Sequence, residues 1–255
     1  MSHLRKKLSS GETVLGTWTI IPSPINIEVM GLAGFDFQIL DMEHGAFDLT
    51  NLENCIRSCE STGCAPLVRS PGINPNIVQN ALDFGAHGII FPQVQNATSA
   101  QEALKSMFYA PIGSRGYNPF TRAGNYSLSP SNKLNNEFPL SSVIIENKKS
   151  LEDIDKILEI KDLDVVYLGV YDMSVALGCM GDMENPKIKS FVESSLFKIR
   201  KAKKHAGVMV KNEEDIKNLS QLGANFLVYS VDSHLLSKAA QKGKELLNLA
   251  LNNKG

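Results

Sequence analysis

The chain has 255 residues, 43% of them hydrophobic, with 26 Lys plus Arg against 27 Asp plus Glu and a formal net charge of −1. That balance, without a long block of like charge, speaks against nucleic acid as a partner, and no apolar run approaches the roughly 18 residues of a membrane span. The length suits one large α/β domain or two small ones and can bury a full core. Met1 to Ser10 is polar and basic without an apolar centre, so it does not read as a secretory signal. The four cysteines, Cys55, Cys59, Cys64 and Cys179, are expected as reduced thiols of a cytoplasmic protein.

Short apolar runs rich in Val and Ile recur along the chain. They predict strands at Val14 to Ile20, Phe35 to Asp41, Ala65 to Arg69, Gly88 to Phe91, Ser141 to Glu146, Asp164 to Leu168, Gly207 to Val210 and Asn225 to Ser230. Helical patterns separate them: Pro24 to Ala33, Leu52 to Ser61, Pro75 to Phe84, Ser99 to Phe108, Ser150 to Ile160, Ile188 to His205, Glu213 to Leu222 and His234 to Leu249. Thr50, Asn74 and Ser233 read as helix caps. The pairs Ala33-Gly34, Gly85-Ala86, Ala206-Gly207 and Gly223-Ala224 read as helix stops before strands. Eight βα units in one chain of about 250 residues predict a single TIM (β/α)8 barrel over residues 1–255. Only Tyr109 to Leu140, rich in Pro, Gly, Ser and Asn, interrupts the alternation. A segment that long without a periodic pattern reads as a lid or an interface arm.

In such a barrel the C-terminal strand ends form the active-site face. The run Phe35-Asp36-Phe37-Gln38-Ile39-Leu40-Asp41-Met42-Glu43-His44-Gly45 delivers Asp41, Glu43 and His44 there. Arg69 ends strand 3, Glu146 ends strand 5, and Asp172 follows strand 6. Two carboxylates on neighbouring strand ends suit a divalent metal with hard oxygen ligands and waters. Such an ion would grip a 2-oxo acid and stabilise an enolate as a Lewis acid. Arg69 could pair with the carboxylate or enolate oxygen, and His44 could move the proton. Each residue alone has a plainer reading. Asp172 alone is more often a cap, His44 a satisfied structural histidine and Arg69 a rim salt bridge. Their occurrence on one rim favours the joint reading. Asp83 reads as a helix-end polar residue, and spacing assigns it nothing more. Cys55 and Cys59 share a helix face, but no second pair or zinc-finger histidine accompanies them, so they read as core or surface thiols.

Taken together, these segments resemble the HpcH/HpaI aldolase family of metal-dependent pyruvate aldolases. The matching pieces are Gly16-Thr17-Trp18, Gly34-Phe35-Asp36 through Gly45, Val68-Arg69 and Leu82-Asp83-Phe84-Gly85-Ala86. Then come Gly88-Ile89-Ile90-Phe91-Pro92, Pro111-Ile112-Gly113-Ser114-Arg115-Gly116, Ile145-Glu146-Asn147, and Leu168-Gly169-Val170-Tyr171-Asp172-Met173-Ser174 with Leu177-Gly178. They run in family order over nearly the whole chain. The resemblance implies Glu146 and Asp172 as ligands of Mg²⁺ or Mn²⁺, with Co²⁺ as an alternative. It implies His44 as the base, acting through a water and paired with an acid at Asp83, and Arg69 against the pyruvate part. It further implies backbone amides of Val170, Tyr171 and Asp172 on the carboxylate, and Asp41 placing the aldehyde. The implied substrates are a 2-oxo acid and an aldehyde. The implied assembly is a hexamer, a trimer of dimers that exchanges C-terminal helices, here His234 to Leu249.

Two positions depart from the family pattern. Ile144 stands where a glutamine is common, and Tyr171 replaces a small or proline-like residue. They point to a shifted substrate, because the metal, base and arginine positions remain. Three other readings compete with the aldolase. A CoA-ester lyase or decarboxylase uses the same enolate chemistry. A Schiff-base aldolase would need Lys211, the one strand-end lysine, to be desolvated. A non-catalytic barrel would explain only the departures.

Overall fold

The computed structural model describes residues 3–128 and 138–252. Eight parallel strands close into a barrel in sequential order, with the last returning to the first. They are β1 (Val14–Thr19), β2 (Phe37–Asp41), β3 (Ala65–Arg69), β4 (Gly88–Phe91), β5 (Leu140–Ile145), β6 (Val165–Leu168), β7 (His205–Val210) and β8 (Ala224–Val231). β3 and β4 match the expected runs residue for residue; each of the other strands differs by one or two positions at one or both ends. Every residue of β2 to β6 is buried, because one face meets the barrel interior and the other the helix layer. Trp18, Phe37, Ile39, Leu67, Ile144, Tyr167 and Phe226 fill the interior. The rings of Phe37 and Phe226 stack at 4.1 Å. Gly16 makes room for them, since a Cβ there would lie 2.3 Å from Phe37 Cε2.

The helices are α1 (His3–Ser9), α2 (Pro24–Leu32), α3 (Leu49–Ser61), α4 (Pro75–Asp83), α5 (Ala97–Lys105), α6 (Lys148–Glu152), α7 (Ile154–Leu158), α8 (Val170–Ala176), α9 (Pro186–Lys201), α10 (Glu213–Gln221) and α11 (Asp232–Asn252). The expected helix at Ser150 to Ile160 is two helices that break at Asp153, whose side chain takes the Ala97 N–H at 2.8 Å. α3 is capped by Asp48 in a capping box with Asn51, not by Thr50, and Ser233 lies inside α11 rather than before it. Asn74 caps α4 as expected. α1 was not indicated by the sequence pattern. Its Leu4 and Leu8, one turn apart, join the interior cluster and plug the barrel. Lys7 pairs with Asp36 at 2.6 Å, and Arg5 pairs with Asp164.

Residues 106–128, which follow α5, and 138–139, which precede β5, lie at the N-terminal face of the barrel, opposite the strand ends that carry chemistry. In the described part, Arg115 donates to Asp83 at 2.6 Å. Arg122 pairs with Glu60 and donates to the Phe84 carbonyl at 3.0 Å. Gly85, at φ +104°, leaves space for that arginine. These residues therefore do not form a lid over their own chain's rim; residues 129–137 lie outside the described part. α11 is exposed from Leu236 to Leu251. No helix among the described residues is long and apolar enough to cross a membrane.

Candidate active site

The C-terminal strand ends surround a cavity of about 500 Å³ whose wall includes Asp41, His44, Arg69, Glu146, Val170, Tyr171 and Asp172. Asp41 and Arg69 are register partners at the ends of β2 and β3. Arg69 Nε donates to Asp41 Oδ1 at 2.8 Å and Nη2 bonds Oδ2. Asp41 Oδ1 also accepts the backbone N–H groups of Glu43 at 3.0 Å and His44 at 3.2 Å. Gly45 closes the turn by donating to the Asp41 carbonyl, where a Cβ would lie 2.2 Å from that oxygen. The Asp-Met-Glu-His-Gly run is thus folded by its own first and last residues, and it stands the His44 side chain exposed on the cavity wall.

Arg69 is held from two further sides. Its Nη1 lies 3.1 Å from Glu43 Oε2, and its guanidinium carbon lies 4.4 Å from the centroid of the Trp18 ring, a cation–π contact. Trp18 is held in turn by donating Nε1 to Tyr167 Oη at 3.1 Å. Glu43, which had no assigned chemical role from sequence, also accepts from Gln93 Nε2 at 2.8 Å. Gln93 adopts a left-handed backbone, φ +55°, and points its N–H at Glu146 Oε1. One chain of contacts therefore runs from Arg69 through Glu43 and Gln93 to Glu146. Gln93, Trp18 and Tyr167 escape sequence reasoning because they act through uncharged groups, a backbone N–H and side-chain amide, an indole and a hydroxyl, which leave no charged signature at a strand end.

Glu146 directly follows β5 and is buried. Burial pushes its carboxyl up to about 7, against the Gln93 N–H; the charges of Asp172 and Glu43 push the same way and Arg69 opposes them. Gly169 lets this happen at close quarters, since a Cβ there would lie 2.6 Å from Glu146 Cβ. Asp172 sits in the first turn of α8, exposed to the cavity, one strand over. A buried carboxylate crowded by a second one is stabilised by a cation between them. Two hard oxygen donors with open space fit a divalent ion that keeps several waters.

Asp83, Asp232 and Lys211 stand apart from this cavity. Asp83 ends α4 at the opposite end of the barrel, bonded to Arg115, so one chain does not bring it to His44. Asp232, at the end of strand 8, does not line the cavity. It is fully buried and accepts from the N–H groups of Ile20 and Ile21 at 3.1 Å and from Asn26 at 2.8 Å, bracing the loop after β1. Lys211 is exposed, not desolvated. Cys55, Cys59 and Cys64 are free thiols buried under α3; Gln38 Nε2 lies 3.7 Å and 3.8 Å from the sulfurs of Cys59 and Cys64. The cavity also has a histidine that strand-end reasoning did not supply, His234 in α11.

The model of the HpcH/HpaI aldolase/citrate lyase family matches residues 15–239. The 4-hydroxy-2-oxo-heptane-1,7-dioate aldolase of Shigella sonnei is 30% identical over 243 residues, 94% of this chain and 92% of that protein. The hydroxypyruvate/pyruvate aldolase of Roseovarius nubinhibens is 29% identical over 240 residues, 93% of each chain. The crystal structure of an HpcH/HpaI aldolase from Desulfitobacterium hafniense superposes with a TM-score of 0.90 at 28% identity, covering 97% of both chains.

Proposed function

The chain belongs to the HpcH/HpaI aldolase/citrate lyase family, and we propose that it is a carbon–carbon lyase cleaving a 4-hydroxy-2-oxo acid reversibly to pyruvate and an aldehyde. The observation that carries this is the meeting of Glu146, Asp172, Arg69 and His44 in one cavity. Glu146 and Asp172 would hold a divalent ion, Mg²⁺ or Mn²⁺ by the chemistry of the donors, with Co²⁺ an alternative. When bound, the ion supplies Lewis acidity toward the keto oxygen.

The chain's own residues do the rest. Arg69, fixed by Asp41, Glu43 and Trp18, presents a guanidinium of set orientation to the substrate oxygens. The N–H groups of Val170, Tyr171 and Asp172 open a helix and have no acceptor within it, which suits them to the pyruvate carboxylate. His44, through a water, takes the proton of the C4 hydroxyl as the C3–C4 bond breaks, and the released aldehyde leaves by the open mouth. Asp41 contributes to aldehyde placement through the turn it orders. Asp83 could reach His44 only from a second copy of the chain, which agrees with the hexamer, a trimer of dimers, that the resemblance implies. The exposed leucines of α11, including Leu246 and Leu247, suit its exchange onto a neighbour.

The test is exchange of pyruvate methyl protons with solvent, followed by NMR with and without a chelator. Exchange that stops on chelation and returns with Mg²⁺ or Mn²⁺ is expected. Its absence in the metal-loaded protein overturns the reading.

A further inference from the structure

Tyr171 stands between two hollows. It lies in the first turn of α8, just beyond the end of β6, and it is 47% exposed. With Val170 it lines the catalytic cavity, and the same two residues line a groove of about 560 Å³ that runs down the outside of the barrel between α9 and α10. Met209, near the end of the adjacent strand β7, also lines both. Successive strand residues face opposite sides. Met209 accordingly packs with the interior cluster, whereas Val208 belongs to the core outside the barrel and lines the groove. Val170, Tyr171 and Met209 thus form the divide between cavity and groove, and Tyr171 is the bulkiest of them.

Val170 and Met209 are each packed against a core cluster. Tyr171 is held from the groove side by Lys211, whose ammonium lies 5.6 Å from the centroid of the ring, a cation–π contact. Beyond the ring the groove is lined by Ile188, Val192, Val208 and Leu219. At its edge Glu184 pairs with Lys189 at 2.7 Å, and the Asp215 carboxylate accepts the Lys211 backbone N–H at 2.8 Å. An apolar floor of this kind suits a hydrocarbon chain.

We propose that the Tyr171 side chain limits acceptor chain length. It closes the catalytic cavity against the α9–α10 groove, so the tail of a long aldehyde passes out of the open mouth into water and gains nothing from the apolar floor. The acceptor class is therefore a short-chain aldehyde. This rests on the lyase reading and deepens it, since it gives the bulky residue at 171 a task in choosing the aldehyde. The Tyr171 backbone N–H keeps its separate place toward the pyruvate carboxylate.

The experiment measures kcat/KM for octanal and for propanal with pyruvate and Mg²⁺. A general loss of activity in a variant cancels in the ratio of the two. In the native enzyme the octanal-to-propanal ratio is expected to be about one or less, because the added methylenes stay in water. In Tyr171→Ala it rises at least about ten-fold, since each methylene moved from water into an apolar groove favours binding about four-fold. Tyr171→Phe keeps the native ratio, because it keeps the ring. Alanine is a strong helix former, so this exposed helical position tolerates it. Met209→Ala, which opens the same divide from β7, raises the ratio as well. A native ratio already above about ten, an unchanged ratio in both alanine variants, or an equal rise in Tyr171→Phe overturns the proposal. Pyruvate proton exchange needs no aldehyde. Exchange with an unchanged ratio therefore overturns this proposal alone, and absence of exchange overturns the lyase reading together with it.

Discussion

Asp41 and Arg69 face each other in register across β2 and β3 and close a two-point ion pair, with side chains only 2% and 11% exposed. A buried pair is destabilising to break from one side, because the remaining charge has no water to replace its partner. Asp41→Ala should therefore cost about 3–5 kcal/mol in urea unfolding. The double variant Asp41→Ala with Arg69→Met should cost less than the two single changes summed, since neither charge is left behind. A loss below about 1 kcal/mol for Asp41→Ala would place the pair with exposed salt bridges.

Gly169→Ala should disturb the site without removing a polar group. Its new Cβ would meet Glu146 Cβ at 2.6 Å and Ile144 Cγ2 at 2.9 Å, both in buried surroundings. Overpacking of this kind costs about 1–3 kcal/mol, and Glu146 is the group that must move. The expected outcome is a lowered Tm together with loss of the Tm increase that Mn²⁺ produces. Gly243→Ala, in α11 with nothing within 4 Å, serves as the control. It should keep the Mn²⁺ response and raise helix stability by up to about 1 kcal/mol.

Stability should also depend on pH through His205, which opens β7 beside Asn225 at 3.0 Å. Burial holds its imidazole below the ordinary histidine range, and the Arg5 and Lys204 cations add to this; Asp164 and the Asn225 bond oppose it. The unfolded chain therefore takes up the proton first as pH falls. The stability this site contributes is complete above about 6.5 and is lost as pH drops from there through the lower folded value. Urea midpoints measured between pH 7.5 and 5.5, approximately that window, should decline for the native protein and decline less for His205→Gln. Parallel declines would remove His205 as the cause.

The fold was legible because eight apolar runs each ended in a polar break. Arg69 after Val68 and Pro92 after Phe91 mark the ends of β3 and β4 to the residue. The rim was legible for a related reason: in a barrel, position along a strand determines which face a residue reaches, so Asp41, Arg69 and Glu146 could be gathered without coordinates. What remained hidden depends on backbone conformation or on contacts distant in sequence. Two leucines among basic residues were too short a pattern to reveal α1 as the barrel's plug. Gln93 acts through its N–H and a positive φ. The Asp83–Arg115 bond spans 32 positions and lies on the face opposite His44. α8 was hidden because Gly169 and the residues after it read as loop.

The division of labour between Glu146 and His44 gives the last prediction. Glu146 is one of two carboxylates proposed to hold the ion, and it cannot be replaced without losing half the protein donors. His44 lines the same cavity but is tied to the site only through the backbone turn that Asp41 organises. Glu146→Ala should therefore abolish the stabilisation by Mn²⁺, which in the native protein amounts to about 2.7 kcal/mol at a hundred-fold excess over Kd, and should abolish pyruvate binding and turnover with it. His44→Ala should keep the Mn²⁺ stabilisation and pyruvate binding while lowering kcat by about 10²–10⁴, the range of a lost proton-transfer group. Thermal shift, calorimetric titration with pyruvate and steady-state kinetics on the two variants separate these outcomes. Equal and mild effects from both substitutions would show that neither residue holds the role assigned to it.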